Sequence, residues 1–108
     1  MNIIKTKYFS DQFHKLQKKY PQILKDIDYF EKNIAFEPFS SLWDNLYKFR
    51  IQNSSIPVWK RSGFRVIIFF LNTDTAIPLL IYSKNEKTNA SGTEIKQAKK
   101  QILKELTH

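Results

Sequence analysis

The sequence predicts a single α+β domain, in which helices pack on a small, mainly antiparallel sheet. Apolar residues recur at helical spacing in the first third of the chain and near its end, whereas they alternate or run together in the middle. The 108 residues, of which 42% are hydrophobic, suit one core, so residues 1–108 are predicted to form one domain. The predicted order of elements is β-α-α-β-β-β-α.

The first third of the chain predicts a short strand and two helices. Ile3, Ile4 and Tyr8 fit the strand, because such residues suit a half-buried sheet. Ser10 is the expected N-cap of the first helix, since its hydroxyl can accept from a free backbone N–H. Pro21 cannot continue that helix but suits the first position of the next one. The apolar face predicted for the second helix comprises Ile23, Leu24, Ile27, Phe30 and Ile34.

The middle of the chain predicts three strands. Residues 46–51 alternate in character, so Lys48 and Arg50 are expected on one face and the apolar side chains on the other. Residues 64–71 form a strongly β-prone run, and the chain is predicted to return in a strand over 76–82.

The hairpin between the last two strands has a specific predicted register. With Leu71 opposite Ala76, Arg65 lies opposite Tyr82, whereas a slip of one residue would exchange the two faces. Pro78 is expected at an unpaired edge or a bulge, because proline has no N–H to give to the ladder.

The end of the chain predicts a well-capped helix. Ser91 and Glu94 have the spacing of a capping box, in which side chain and backbone exchange hydrogen bonds. The apolar face predicted for this helix comprises Ile95, Ala98, Ile102, Leu103 and Leu106.

Charge and composition restrict the classes of function. The net charge of +8 favours a polyanionic partner such as nucleic acid. The absence of cysteine excludes disulfides and thiolate sites. No leader-like start and no long apolar run are visible, so we expect a cytoplasmic protein without a membrane partner.

The arginines are concentrated in one segment. All three, Arg50, Arg61 and Arg65, lie in a stretch between Asp44 and Asp74 that contains no acidic residue. Arginine binds phosphate through a planar fork, whereas lysine offers a mobile point charge. The segment therefore predicts a phosphate-contacting face.

Conventional catalytic and metal sites are not predicted. Histidine occurs only at His14 and His108, where an ordinary surface or partly packed imidazole is the simpler interpretation. Glycine-rich phosphate loops, zinc-ligand spacings and nucleophile elbows are absent from the sequence. We therefore expect neither a metal nor a cofactor.

The basic residues nevertheless suit metal-independent RNA cleavage, in which the RNA 2′-hydroxyl is the nucleophile. Arg65 is the candidate for stabilising the charged transition state. The base or acid is a lysine, because like charge lowers the pKa of a crowded ammonium; the candidates are Lys48, Lys60 and Lys84. Tyr82 can position the nucleotide, protonate the leaving oxygen or stack on a base. The alternatives are that the strand cations form a solvated face and that Tyr82 is an aromatic residue at the edge of the core.

Three segments carry a family resemblance. They read Tyr-Lys-Phe-Arg-Ile at 47–51, Lys-Arg-Ser-Gly-Phe-Arg-Val-Ile at 60–67 and Leu-Leu-Ile-Tyr-Ser-Lys-Asn-Glu-Lys at 79–87. Over residues 46–106 the chain resembles the RelE/ParE superfamily of bacterial toxins, particularly its RelE/HigB-like branch in type II toxin-antitoxin systems. It departs from the pattern at Ser62, where relatives tend to have a second glycine.

The resemblance implies a toxin that cleaves translated mRNA in the ribosomal A site and so inhibits translation. The implied partners are the ribosome, mRNA and a cognate antitoxin, often a helix-turn-helix protein. The residues expected to contact RNA without acting in catalysis are Arg50, Arg61 and Lys87. Two alternatives stay open: a ParE-like inhibitor of DNA gyrase without nuclease chemistry, and an inert basic RNA-binding module.

Overall fold

The computed structural model describes residues 1–57, 63–87 and 89–107, and these ranges confirm an α+β architecture. Within them, three helices pack on a five-stranded, mostly antiparallel sheet. In chain order the elements are β1 (Asn2–Ile3), α1 (Lys7–Lys19), α2 (Ile23–Lys32), a 3₁₀ turn (Ile34–Phe36), β2 (Phe39–Ser41), β3 (Leu46–Ile51), β4 (Phe64–Phe70), β5 (Thr75–Ser83) and α3 (Gly92–Leu106).

The sheet contains a strand that the sequence did not predict. Its order is β1-β5-β4-β3-β2, with β1 parallel to β5 and every other pair antiparallel. The additional strand is β2, which is joined to β3 by a tight turn at Asp44 and Asn45, where φ is 47° and 62°. Asp and Asn tolerate this left-handed backbone better than most residues. At three residues, β2 is too short to show a period of its own, so only its pairing with β3 reveals it.

Each face of the sheet has its own core. Helices α1 and α2 cover one face, where residues such as Phe30, Phe49 and Val66 are buried together. Helix α3 covers the other face, where Ile102 packs with a group that includes Ile67. The alternation of β3 and β4 thus divides their side chains between two different surroundings.

The beginnings of the first two helices differ from the prediction. Helix α1 is capped by Thr6 rather than Ser10, and its hydroxyl accepts from the Phe9 N–H at 3.3 Å. The carboxylate of Glu105 accepts from the N–H groups of Lys7 and Tyr8 at 3.0 and 3.1 Å. Tyr8, which was predicted in the opening strand, thus lies in the first turn of α1. These acceptors from α3 are distant in sequence, which is why local capping rules did not find them.

The second helix begins two residues after Pro21, at Ile23, and buries Ile23, Ile27 and Phe30. Leu24, which the prediction placed on the same face, is 50% exposed. The buried stripe is therefore narrower than the sequence pattern indicated.

The predicted hairpin register is confirmed at one end and wrong at the other. Arg65 lies opposite Tyr82, as predicted. Nearer the turn, Ala76 faces Phe70 rather than Leu71, because the register shifts by one residue between Ile67 and Ile68.

The shift is a bulge beside Pro78, which confirms the expectation for that proline. Leu79 is the extra residue, and beyond Ala76 strand β5 no longer pairs with β1. The side-chain amide of Gln12 in α1 replaces the missing strand there. Its nitrogen donates to the Leu79 carbonyl at 3.1 Å and its oxygen accepts from the Ile81 N–H at 3.3 Å.

Helix α3 has the predicted capping box. The Ser91 hydroxyl accepts from the Glu94 N–H, and the Glu94 carboxylate accepts from the Ser91 N–H. Ile95, Ala98 and Ile102 are buried, whereas Leu103 and Leu106, predicted on the same face, are each 41% exposed. No helix within the described ranges is long and apolar enough to cross a bilayer.

Candidate functional site

A row of three side chains crosses the sheet near one end of α3. Arg50 of β3 lies directly opposite Arg65 of β4, which lies directly opposite Tyr82 of β5. Lys48, two residues before Arg50, projects on the same face and is paired with Ile67, a residue of the core under α3. The structure thus brings together four of the residues that the sequence singled out. Below, "the basic row" means Lys48, Arg50, Arg65 and Tyr82.

The two arginines of the basic row form a repulsive pair. Directly opposed residues in an antiparallel pair have Cβ atoms about 5 Å apart, and like charges in that position are destabilising. Burial, and then the charge of Arg50, lower the pKa of Arg65, while Tyr82 acts in the opposite direction. Arginine stays protonated in proteins, so the repulsion between the two positive charges is not removed by deprotonation. An anion placed between the two guanidinium groups would relieve it.

Gly63 determines how β4 approaches this row. Its φ is +78°, and an added Cβ would lie 2.6 Å from the Ile51 carbonyl oxygen and 3.5 Å from Nη1 of Arg65. The same guanidinium nitrogen donates to the Phe64 carbonyl at 3.3 Å. Only glycine fits here, so the Gly-x-Arg spacing in the sequence has a geometric reason.

Tyr82 is buried with an unsatisfied hydroxyl. The residue is 7% exposed, and its phenol has no hydrogen-bond partner among the described residues. The ammonium of Lys87 lies 5.5 Å from the centre of the ring. A buried hydroxyl without a partner is costly in a protein interior, so its presence here needs a specific physical reason.

Lys87, predicted to contact RNA, already has an acidic partner inside the chain. Its ammonium forms an ion pair with Glu94 in the first turn of α3. This pair, together with the hydrogen bond from Ser91, lowers the pKa of the Glu94 carboxyl. Lys87 is thus fixed between Tyr82 and the beginning of α3.

The remaining predicted site residues divide into two groups. Lys84 follows β5, and its N–H donates to the Gly63 carbonyl at 3.0 Å, which places it beside the basic row. Lys60 and Arg61 lie outside the described residues, as does the departure at Ser62. His108 also falls outside them, whereas His14 lies in α1 with its ring edge-on to Phe13, at 5.8 Å between centroids.

The structure adds a cleft that the sequence did not reveal. It has a volume of about 130 Å³ and lies between the β2–β3 turn and the first turn of α3. Lys48 and Tyr82 line it together with Trp43 and Asn89. Neither of the last two residues carries a sequence signal, because only the unpredicted β2–β3 turn and the docking of α3 bring them to this face.

A second, larger concavity lies elsewhere. This apolar groove has a volume of about 560 Å³. Its lining includes Ile34, Phe39, Tyr47 and Phe70, and no charged side chain belongs to the lining that the structure describes. Tyr47 and Phe70 pack against the core under α1 and α2, so the groove lies on the face opposite the basic row.

No group of three His, Asp or Glu side chains in the described part of the chain is placed to hold a metal ion. Comparisons with protein-family models and with curated proteins found no match to this chain. The chemistry available at the site is that of its own residues: two guanidinium groups, a lysine ammonium and a phenol.

Proposed function

We propose that this protein is an endoribonuclease toxin of the RelE/HigB-like kind, which cleaves translated mRNA in the ribosomal A site. The observation that carries the proposal is the alignment of Arg50, Arg65 and Tyr82 across three strands, with Lys48 beside them. Two opposed guanidinium groups suit a phosphodiester, because each can donate two parallel N–H bonds to its oxygens.

The reaction begins with attack of a 2′-oxygen on the adjacent phosphorus. The bond to the 5′-oxygen breaks, and the products are a 2′,3′-cyclic phosphate and a 5′-hydroxyl. Arg65 stabilises the charge that develops on the non-bridging oxygens, as a preorganised donor does in an oxyanion hole. Arg50 holds the same phosphate from the opposite strand.

Proton transfer is assigned to a lysine. Lys48, Lys60 and Lys84 are the candidates for removing the proton of the 2′-hydroxyl or for supplying one to the leaving 5′-oxygen. Tyr82 orients the nucleotide. Because this set lacks a strong conventional base, the rate depends on accurate alignment of the 2′-oxygen, phosphorus and leaving oxygen, which the ribosome supplies.

The proposed cellular setting follows from this activity. A protein that cuts translated messages stops growth, so we propose a co-expressed antitoxin as its partner in the cytoplasm. The chain's net charge of +8 favours its encounter with ribosomal RNA and mRNA.

The test is brief induction in growing cells, followed by mapping of mRNA 5′ ends. We expect new ends at fixed positions within codons of translated messages. Arg65→Ala should reduce this cleavage by about 10²–10³-fold, the usual effect of removing one transition-state donor. Phe39→Ala, in the apolar groove, is the matched control and should cleave like the wild type.

Three outcomes would contradict the proposal in different ways. Intact messages accompanied by double-strand DNA breaks would indicate a gyrase inhibitor. Intact messages without DNA damage would indicate a binding module. Full cleavage by a correctly folded Arg65→Ala variant would remove Arg65 from the reaction.

A further inference from the structure

The cleft beside the basic row is formed jointly by three strands, the β2–β3 turn and helix α3. It is bounded by the β2–β3 turn on one side and by the beginning of α3 on the other. The lining residues that carry the inference are Trp43, Lys48, Ile67, Tyr82, Asn89 and Gly92.

One wall of the cleft is the indole of Trp43, the residue that precedes the two turn residues between β2 and β3. The Trp43 carbonyl accepts from the Leu46 N–H at 2.8 Å, and the positive φ angles of Asp44 and Asn45 turn the chain sharply between them. A Cβ at Gly92 would lie 4.0 Å from the Trp43 ring, so the indole lies against the first turn of α3. Trp43 is nevertheless 39% exposed, which leaves part of the ring open to a ligand.

The polar groups of the cleft are mainly hydrogen-bond donors. The Tyr82 hydroxyl has no partner within the described chain, but its accessible surface is below 1 Å², so the cleft is lined by the Tyr82 ring and not by its hydroxyl. Lys48 contributes an ammonium, and Asn89 contributes an exposed side-chain amide. Glu94, the acidic residue of that turn, is already paired with Lys87. An occupant should therefore be flat, largely apolar and rich in acceptors along one edge.

We infer that the cleft binds one nucleobase of the RNA, stacked on Trp43, with a carbonyl oxygen facing the Lys48 ammonium. The inference rests on the proposed function, because Tyr82 and Lys48 belong to both regions and the phosphate of that nucleotide would lie on the basic row. Aromatic stacking is a general means of holding an unpaired base.

The size of the cleft indicates which bases fit. A volume of about 130 Å³ lies well below the roughly 300 Å³ at which pockets for drug-sized ligands begin. A single ring, uracil or cytosine, suits this space better than a fused purine. Both pyrimidines present a carbonyl acceptor to the Lys48 ammonium, and the Asn89 amide can donate or accept a further hydrogen bond.

The test uses Trp43 fluorescence without the ribosome. The chain has two tryptophans, so Trp59→Phe leaves Trp43 as the only reporter. This variant is titrated with uridine, cytidine and adenosine monophosphates, ribose 5-phosphate and inorganic phosphate. We expect saturable quenching by the two pyrimidine nucleotides. Lys48→Met should weaken their binding by roughly tenfold or more, as expected for the loss of a hydrogen bond from a charged group. Lys18→Met, which removes an exposed ammonium on α1, should change nothing.

Each other result overturns the inference. Equal quenching by ribose 5-phosphate or phosphate would show an anion site. Equal affinity for the adenine nucleotide would remove the single-ring selectivity. Absence of quenching, with circular dichroism showing a folded protein, would show that the cleft takes no base.

The result is also separable from that of the proposed function. Base binding without cleavage in cells would uphold the cleft and overturn the nuclease, whereas cleavage without quenching would do the reverse.

Discussion

The basic row and the apolar groove lie on opposite faces of the same strand, β3. Lys48 and Arg50 belong to the basic row, and Lys48 also lines the 130 Å³ cleft. Tyr47 and Phe49, on the other face, line the 560 Å³ groove. The groove is much larger but has no charged side chain in its described lining. The difference teaches that volume alone does not locate chemistry in this molecule. Charge, an unsatisfied hydroxyl and opposed cations distinguish the smaller region.

The largest effect on stability is expected at β3, where the neighbouring residues Lys48 and Phe49 project on opposite faces of the sheet. Phe49 is 4% exposed and packs edge-on against Phe30, with 5.2 Å between ring centroids. Phe49→Ala should lower the free energy of unfolding by about 3–5 kcal/mol, because it removes a large buried side chain. Lys48→Ala should change it by less than about 0.5 kcal/mol, as is usual for a side chain outside the core.

Denaturant unfolding of the two variants measures both effects. If Lys48→Ala were as destabilising as Phe49→Ala, the division of β3 between a structural face and a binding face would be wrong.

A smaller effect is expected at the two glycines, both of which adjoin the basic row or its cleft. Gly63→Ala should cost about 2 kcal/mol or more, because its φ is positive and the new Cβ would meet the Ile51 carbonyl at 2.6 Å. Gly92→Ala is the matched control. Its Cβ meets only the Trp43 ring at 4.0 Å, and replacing glycine by alanine where the backbone suits alanine favours folding by about 0.4–1 kcal/mol.

Thermal unfolding should therefore move in opposite directions for the two glycine variants. A Gly63→Ala protein as stable as the wild type would show that β4 can reach β3 without a glycine.

The smallest effect is a pH dependence of stability, which is expected for the charged region and not for the groove, whose described lining has no charged side chain. The Lys87–Glu94 pair holds the pKa of the Glu94 carboxyl below its usual value. A carboxyl whose folded pKa is depressed stabilises the protein above its unfolded pKa, and this contribution is lost as the pH falls through the folded pKa. Glu94→Gln should therefore reduce stability slightly at neutral pH and not at the acid end.

The measurement is the melting temperature of wild type and Glu94→Gln between about pH 3 and pH 7, which brackets the usual carboxyl pKa of about 4.3. The two curves should converge as the pH falls. A constant difference across this range would show that the pair contributes nothing through charge.

Much of the candidate site was predictable because it depends on short-range rules. Strand alternation placed Lys48 and Arg50 on one face of the sheet. The pairing of Arg65 with Tyr82 also depends on the bulge at Leu79, because the register at the turn, continued without it, would put Arg65 opposite Ile81. The Ser91 capping box fixed the beginning of α3 for a similarly local reason.

Other features depended on contacts between distant segments. The bulge at Leu79 is accommodated by Gln12, and the first turn of α1 receives acceptors from Glu105, at the far end of the chain, in addition to its local cap Thr6. No local pattern contains either partner. For the same reason the sequence missed β2, whose three residues are defined by their pairing with β3.

The sequence by itself determined the two kinds of period, and with them the face of β3 on which Lys48 and Arg50 lie. These follow from the backbone geometry of strands and helices, which acts over a few residues. Only the tertiary structure decided that Trp43 and the beginning of α3 would form a cleft beside Tyr82. That arrangement depends on how a turn and a helix dock on one face of the sheet, where side-chain packing rather than local propensity fixes the outcome.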